Sequence, residues 1–205
     1  MRLHAAWTAT MANLTSGDKH MKTRVIAPIL MVFGLNAGAA DAPPVNAAKP
    51  LATIAALDVP RYMGTWYEIA KFPNRFQKKC VGFTKATYSV LADGTLQVVN
   101  RCRTASGKTE EAIGAVRQVG APDSPKLKVR FAPAVLSFLP MVWGDYWVVD
   151  LDPGYQLAAV SEAKREYLWI LSRSPKVDKA SYDALVARLA GQGLDVSKLV
   201  FTNQQ

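Results

Sequence analysis

The chain predicts an all-β domain: an eight-stranded antiparallel up-and-down β-barrel followed by one α-helix and a short final strand. Three observations carry this expectation. Between residues 63 and 173, eight short runs are apolar or alternate in polarity, and turn residues break them. No long crossover helix separates the runs, which argues against a parallel sheet. Only after Pro175 does the apolar period lengthen to that of an amphipathic helix.

The elements follow in order. Asp58-Val59-Pro60-Arg61-Tyr62 reads as a helix-like turn, and the first strand, 63–71, opens on Gly64-Thr65-Trp66. The tryptophan brings a large apolar area and one N–H that needs a partner when buried. The glycine beside it lets a neighbouring group come close. Alone, this triplet marks no more than a core tryptophan after a turn. The second strand, 83–91, ends at Ala92-Asp93-Gly94, a strong hairpin signal. The third, 95–103, puts Leu96, Val98 and Asn100 on one face. The fourth, 108–119, stops at Gly120-Ala121-Pro122-Asp123-Ser124-Pro125. In the fifth, 126–131, Leu127, Val129 and Phe131 oppose Lys126, Lys128 and Arg130. Runs 144–151, 155–161 and 166–173 complete the eight. The helix shows an apolar stripe of Val177, Tyr182, Leu185, Val186 and Leu189. Asp178 and Asp183 lie early, Arg188 late, and Gly191 is its stop. A last strand spans 198–202.

The N-terminal segment has the pattern of processing. Residues 1–20 precede an awkwardly placed signal and read as an extension ahead of a true start at Met21. Met21-Lys22-Thr23-Arg24 is a basic start, residues 25–35 are apolar apart from Pro28 and Gly34, and Asn36-Ala37-Gly38-Ala39-Ala40 supplies small residues. This is the order of a signal peptide, 21–40, cleaved after Ala39 or Ala40; an uncleaved membrane anchor is the alternative. Residues 41–57, rich in Ala and Pro, are expected to form a flexible leader, and 58–205 the domain. No cysteine follows the apolar run, so a lipid anchor has no attachment site. The expected location is exported and periplasmic, with association to the outer membrane not requiring such an anchor.

The full chain carries +9, and loss of 1–40 leaves +6. This suits contact with an anionic membrane surface, and equally an ordinary exported domain; nothing points to nucleic acid. Both histidines, His4 and His20, fall in the processed segment. The mature chain therefore lacks a Ser-His-Asp or Cys-His nucleophile system and any histidine-ligated metal site. No cofactor and no metal are expected. The two cysteines, Cys80 and Cys102, favour a disulfide in an exported chain. Two reduced buried cysteines are the alternative.

Three spaced motifs complete the pattern: Gly64-Thr65-Trp66, then Asp150-Leu151-Asp152-Pro153-Gly154-Tyr155, then Arg173. With Gly144-Asp145-Tyr146-Trp147-Val148-Val149-Asp150 and Tyr167-Leu168-Trp169-Ile170-Leu171-Ser172-Arg173, residues 57–204 resemble the lipocalin family, in particular the bacterial outer-membrane lipocalins and apolipoprotein D. Two departures stand out. The family's Thr-Asp-Tyr is here Leu151-Asp152-Pro153, which keeps only Asp152, and the lipid-anchoring cysteine of the bacterial members is missing.

The resemblance implies that the first strand starts at the closed end, where Arg173 lies against Trp66 as a structural pair with Gly64 and Asp152. Loops 72–82, 103–108, 132–143 and 161–166 then form the mouth, and Cys80 and Cys102 lie near it on neighbouring loops. Loop 132–143, almost wholly apolar or proline, becomes either a greasy lip or a lid folded onto the barrel. Lys71, Arg75, Lys78, Lys79, Arg101, Arg103 and Lys108 form a basic rim. From alternation, Tyr88, Val98, Asn100, Ala112, Val129, Phe131 and Tyr146 face inward, and Phe138 and Trp143 of the lip join them as candidate ligand contacts. Glu68 shares parity with Trp66 and points inward toward a polar ligand group or a neighbouring Arg.

The function this implies is binding and carriage or storage of a fatty acid, lysophospholipid or similar amphiphile, for membrane lipid maintenance. The expected partners are that lipid and, peripherally, the membrane. A membrane- or partner-binding module using loop 132–143 is the alternative. An enzyme is disfavoured, since only carboxylates, Tyr and Lys remain for acid–base work.

Overall fold

The computed structural model describes residues 49–205. The segment read as extension and signal peptide, and leader residues 41–48, lie outside the described residues.

Eight antiparallel strands close on themselves: β1 (Gly64–Lys71), β2 (Cys80–Val90), β3 (Leu96–Thr104), β4 (Thr109–Gln118), β5 (Lys126–Arg130), β6 (Gly144–Leu151), β7 (Leu157–Ser161) and β8 (Leu168–Ser172). Each pairs with its successor, and β1 pairs with both β2 and β8, so the sheet is a barrel. A ninth strand, β9 (Val200–Phe201), adds to the end of β1. A four-residue helix, α1 (Val59–Tyr62), precedes β1. It has Asp58 as N-cap and Pro60 in its first turn, where a missing N–H costs nothing.

β2 starts three residues earlier than its alternation indicates. Phe83 has φ 53°, and the β2–β3 register shifts twice between Cys80 and Lys85. The period of two is broken there, so the sequence hides the strand. The cysteines accordingly lie within β2 and β3 and not on loops. They form a disulfide with 5.6 Å between Cα atoms.

Two packed layers follow from the strand faces. Inside the barrel, Trp66, Tyr88, Val98, Val116, Leu127, Val148, Val160 and Leu171 form one core. Outside it, α2 (Lys179–Gly191) buries Leu185 and Leu189 against Ile69, Ala70, Val149, Leu157, Ala159 and Ile170. Register shifts at Glu68/Ala70 and Val148/Asp150 each insert one extra residue. At the first, Ile69 and Ala70 both join the outer core and the phase of β1 reverses beyond it. Asp178 caps α2 by accepting from the Ser181 N–H (2.9 Å). The helix runs through Gly191 with Gln192 as its C-cap, and the chain turns away at Gly193, whose φ of 79° is the left-handed conformation glycine permits.

Residues 49–57 are not a flexible leader. Leu51 is buried in the outer core and Leu57 in the barrel floor. The Ile54 and Leu57 N–H groups donate to the Val148 and Asp123 carbonyls at 3.1 and 2.7 Å. Apolar side chains three residues apart (Leu51, Ile54, Leu57) tie the stretch down despite its Ala and Pro content. Among the described residues, no helix is long and apolar enough to cross a membrane.

Candidate functional site

The closed end is built from the sequence motifs. Trp66 is fully buried, and its indole N–H donates to the Tyr62 carbonyl (2.8 Å). The Arg173 guanidinium lies 4.0 Å from the Trp66 ring centroid and donates to the carbonyls of Thr65 (3.0 Å), Arg61 (2.8 Å) and Tyr155 (3.3 Å). Gly64 has φ 95°, and a Cβ there would sit 3.2 Å from Arg173 Nη1. Only glycine meets both conditions. Asp152 accepts from the backbone N–H groups of Gly154, Gln156 and Leu157, closing the β6–β7 turn. That role needs the carboxylate alone. Trp66, Arg173 and Asp152 thus all hydrogen-bond to the backbone of the closed end.

Above this plug lies a floor of three tyrosines. Tyr88 donates to the Tyr146 hydroxyl at 2.8 Å, and Tyr62 and Tyr146 share a second bond of 2.8 Å. Burial pushes all three phenols well above their ordinary range, so they are neutral hydroxyls.

From the floor to the mouth, the interior changes from packed to open. Register places Val98 beside Tyr88 and opposite Gly114, and Asn100 beside Ala86 and opposite Ala112. Val98 is 2 % exposed, but Asn100 is half-buried and Ala112 exposed. On β5, Leu127 is buried and Val129 partly so, while Phe131, just past the strand, is 46 % exposed and leans over Gly114. The seven inward candidates therefore share one face and fall into two groups. Tyr88, Val98 and Tyr146 form the floor. Asn100, Ala112, Val129 and Phe131 lie above it toward the mouth, in the less buried upper part of the barrel, its cup.

The opposite wall carries groups that alternation alone does not reveal. Trp169 stacks on Tyr167 (5.8 Å between centroids, planes 13° apart), and Tyr167 meets Phe76 at 5.5 Å. Asn74 caps the short turn Arg75–Gln77, which presents Phe76 and lets Gln77 accept from the Trp169 indole N–H (3.0 Å). Glu68 is buried inside the barrel and meets Lys71 (2.8 Å), not an Arg; Gln77 and Thr202 also donate to it. The β1 bulge turns Lys71 inward, so counting by twos misplaces it.

The chain's own C-terminus completes this wall. β1 and β2 pair from Gly64 and Tyr88 only as far as Tyr67 and Lys85. Beyond that point the tail fills the gap: Phe83 N–H donates to the Asn203 carbonyl (2.7 Å), and the Gln204 amide bridges the carbonyls of Glu68 (2.8 Å) and Thr84 (2.7 Å).

The basic rim is only partly cationic. Arg101 pairs with Glu111 (2.7 Å) and Lys79 with Glu110 (3.6 Å), and Arg103 covers the Phe83 ring. Arg75 and Lys78 make no ion pair among the described residues. Loop 132–143 forms two short 3-10 turns, Ala134–Leu136 and Pro140–Val142. It is not a lid folded into core: Val135, Phe138 and Met141 are 76, 76 and 85 % exposed. Phe138 stands at this exposed lip. Trp143 is on the other side of the wall, between Arg117 (4.1 Å) and Arg130 (5.2 Å), which alternate with the interior residues Val116 and Val129. Gly144 pairs with the inward Val129, so Trp143, one residue earlier, falls on the outer face.

Among the described residues, no group of three or more acidic, Cys or His side chains is placed to hold a metal ion, and both cysteines are in the disulfide.

Residues 57–204 match the lipocalin-like domain family. The chain is 43 % identical over 158 residues to temperature-induced lipocalin-1 of Arabidopsis thaliana, covering 76 % of this chain and 84 % of that protein. It is 38 % identical over 148 residues to the outer membrane lipoprotein Blc of Escherichia coli K12, covering 72 % and 79 %. Among solved structures it is similar to insecticyanin from the tobacco hornworm Manduca sexta, with a TM-score of 0.58 at 19 % identity, covering 75 % of this chain and 84 % of that one.

Proposed function

The chain belongs to the lipocalin family, and from that premise we propose that its barrel binds and carries or stores a small amphipathic lipid, a fatty acid or lysophospholipid. One observation carries the reading: apolar interior side chains remain open above a sealed floor. Phe131 faces into the barrel yet is 46 % exposed, and Ala112 opposite Asn100 is exposed, whereas Val98 a layer below is 2 % exposed. Apolar surface facing a concavity is the usual lining of a ligand site. Eight methylenes buried there would contribute about 6 kcal/mol before the cost of association. Arg75 and Lys78, which make no ion pair among the described residues, suit an anionic head at the rim, beside the Phe76–Tyr167–Trp169 aromatic wall. Binding here involves no covalent chemistry, so the protein acts as a carrier and not an enzyme.

The cellular role that fits is upkeep of membrane lipid by an exported, periplasmic protein working beside the outer membrane. The signal-like segment 21–40 and the likeness to an outer membrane lipoprotein support it. Titration with a fluorescent long-chain fatty acid tests the binding reading: saturable 1:1 binding supports it and its absence removes it.

A second reading, peripheral docking of the lip on a membrane, is favoured by the exposure of Val135, Phe138 and Met141. Liposome co-sedimentation lost on replacing Phe138 and Met141 by Ser, with fatty-acid affinity unchanged, would establish docking as separate from carriage. Sedimentation that persists would refute the lip as its cause.

A further inference from the structure

The tyrosine floor carries one hydroxyl proton too many. Tyr62, Tyr88 and Tyr146 bring three O–H groups, and the cluster contains two hydrogen bonds. Tyr88 donates to Tyr146. Whichever way the second bond runs, the remaining proton, on Tyr62 or on Tyr146, has no acceptor among the described residues. A buried donor left unpaired costs about 1–3 kcal/mol. The space it can address is the cup. Directly toward the mouth, β2 and β6 carry Ala86 and Gly144, and β4 carries Ala112 beside Asn100. The three tyrosines are buried in this structure, and the small residues of that layer put little side-chain bulk between them and the mouth.

The acceptor must also be uncharged. At the closed end Arg173 donates to the carbonyls of Thr65, Arg61 and Tyr155 and stacks on Trp66, and Arg61 donates to the Pro153 carbonyl and covers the Tyr155 ring. A carboxylate against three neutral phenols would be buried without a counter-ion, which is costly. Thr84 Oγ1, buried four residues above Tyr88 on the same inward face, is likewise unpartnered, so this wall offers further polar contact along the ligand.

We propose that the floor receives an uncharged oxygen, a hydroxyl or carbonyl, at the deep end of the bound lipid. The preferred ligands are then long-chain acids oxygenated at the end remote from the carboxylate. This rests on the lipid-binding reading above.

The experiment compares plain and ω-hydroxy fatty acids of 12, 14, 16 and 18 carbons by competition against a fluorescent fatty acid. At the chain length that spans rim to floor, the ω-hydroxy acid should bind about three- to tenfold more tightly than the plain acid, the worth of one buried hydrogen bond. A purely apolar floor would give the reverse order. Any single Tyr→Phe change leaves at least one surplus proton, so the decisive variant is the triple Tyr62→Phe, Tyr88→Phe, Tyr146→Phe. Replacing every partner by an isosteric apolar group is close to neutral for stability. In this variant the preference should vanish, with the affinity ratio of ω-hydroxy to plain acid falling to one or below at every length. A second readout uses wild-type protein labelled with 13C at tyrosine Cζ. The ω-hydroxy acid should shift the Tyr146 or Tyr62 resonance, and the plain acid should not. A ratio at or below one at every length in the wild type, or a preference that survives in the triple variant, overturns the inference and leaves lipid binding standing. If neither series binds, the lipid-binding reading falls and the inference with it.

Discussion

Replacing Arg173 by Ala tests whether the motif residues seal the barrel or bind its ligand. The guanidinium makes two short hydrogen bonds, to Arg61 (2.8 Å) and Thr65 (3.0 Å), a longer one to Tyr155, and a stacked contact with Trp66 at 4.0 Å. Hydrogen bonds from a charged donor contribute about 1.5 kcal/mol or more each. Arg173 is only half-buried, so water recovers much of that, and roughly 1.5 kcal/mol remains for the pair. The cation–π contact adds about 1 kcal/mol. Truncation should therefore cost about 2–3 kcal/mol, or about 5–10 °C in melting temperature for a domain of this size. Thermal unfolding followed by near-ultraviolet circular dichroism reads it, with the Trp66 signal as a local probe. Arg173→Lys keeps the charge but loses the planar fork, and should recover less than half. Fatty-acid affinity below the melting transition should stay within twofold. A melting shift under 2 °C, or a large loss of affinity at unchanged stability, would refute the structural role.

Three further predictions follow from separate parts of the wall. Gly82→Ala would place a Cβ 2.6 Å from the Asn203 carbonyl oxygen. It should expel the C-terminal tail, cost about 1–3 kcal/mol, and speed hydrogen exchange at the Phe83 amide; unchanged exchange would show that the tail is not wedged there. Replacing Cys80 and Cys102 by Ser opens a loop with a sequence separation of 22. It should cost about 3 kcal/mol in denaturant unfolding, with wild-type stability telling against an entropic role. The raised phenols of Tyr62, Tyr88 and Tyr146 stabilise the fold below the unfolded tyrosine value of about 10, and that contribution is lost as pH climbs from there toward their folded values. Ultraviolet titration should show these three ionising only as the protein unfolds, and early ionisation of all seven tyrosines would refute a dry floor.

The barrel was legible because its strands obey the period of two and its turns carry Gly, Pro and Asp at the breaks. Local rules sufficed for Leu127 and Val129, and for Trp66 and Arg173 the spaced motifs sufficed. What escaped depended on departures from those rules. The bulge at Ile69 reverses the phase of β1, so Lys71 turns inward to Glu68, an ion pair that alternation does not anticipate. Phe83, with its positive φ, conceals the first residues of β2. Trp143 follows the alternation of β6 and not the exposed lip: Gly144 pairs with inward Val129, which leaves Trp143 outside between Arg117 and Arg130. Phe76, Tyr167 and Trp169 come together from segments about 90 residues apart, a distance over which no local pattern operates. The wedge of Asn203 and Gln204 between β1 and β2 is of the same kind. Composition misread residues 49–57, where Leu51, Ile54 and Leu57 outweigh the Ala and Pro around them.

The central claim is that the open upper half of the barrel holds the lipid. Ala112 faces that space and is exposed, so a tryptophan there should fill the cup without disturbing the packed floor. Equilibrium titration of wild type and Ala112→Trp with one fluorescent long-chain fatty acid tests this directly. Saturable 1:1 binding by the wild type, weakened at least about tenfold in a variant that melts normally, is the predicted result, since the indole displaces several buried methylenes. Equal affinity in the two proteins would place the lipid elsewhere and contradict the account.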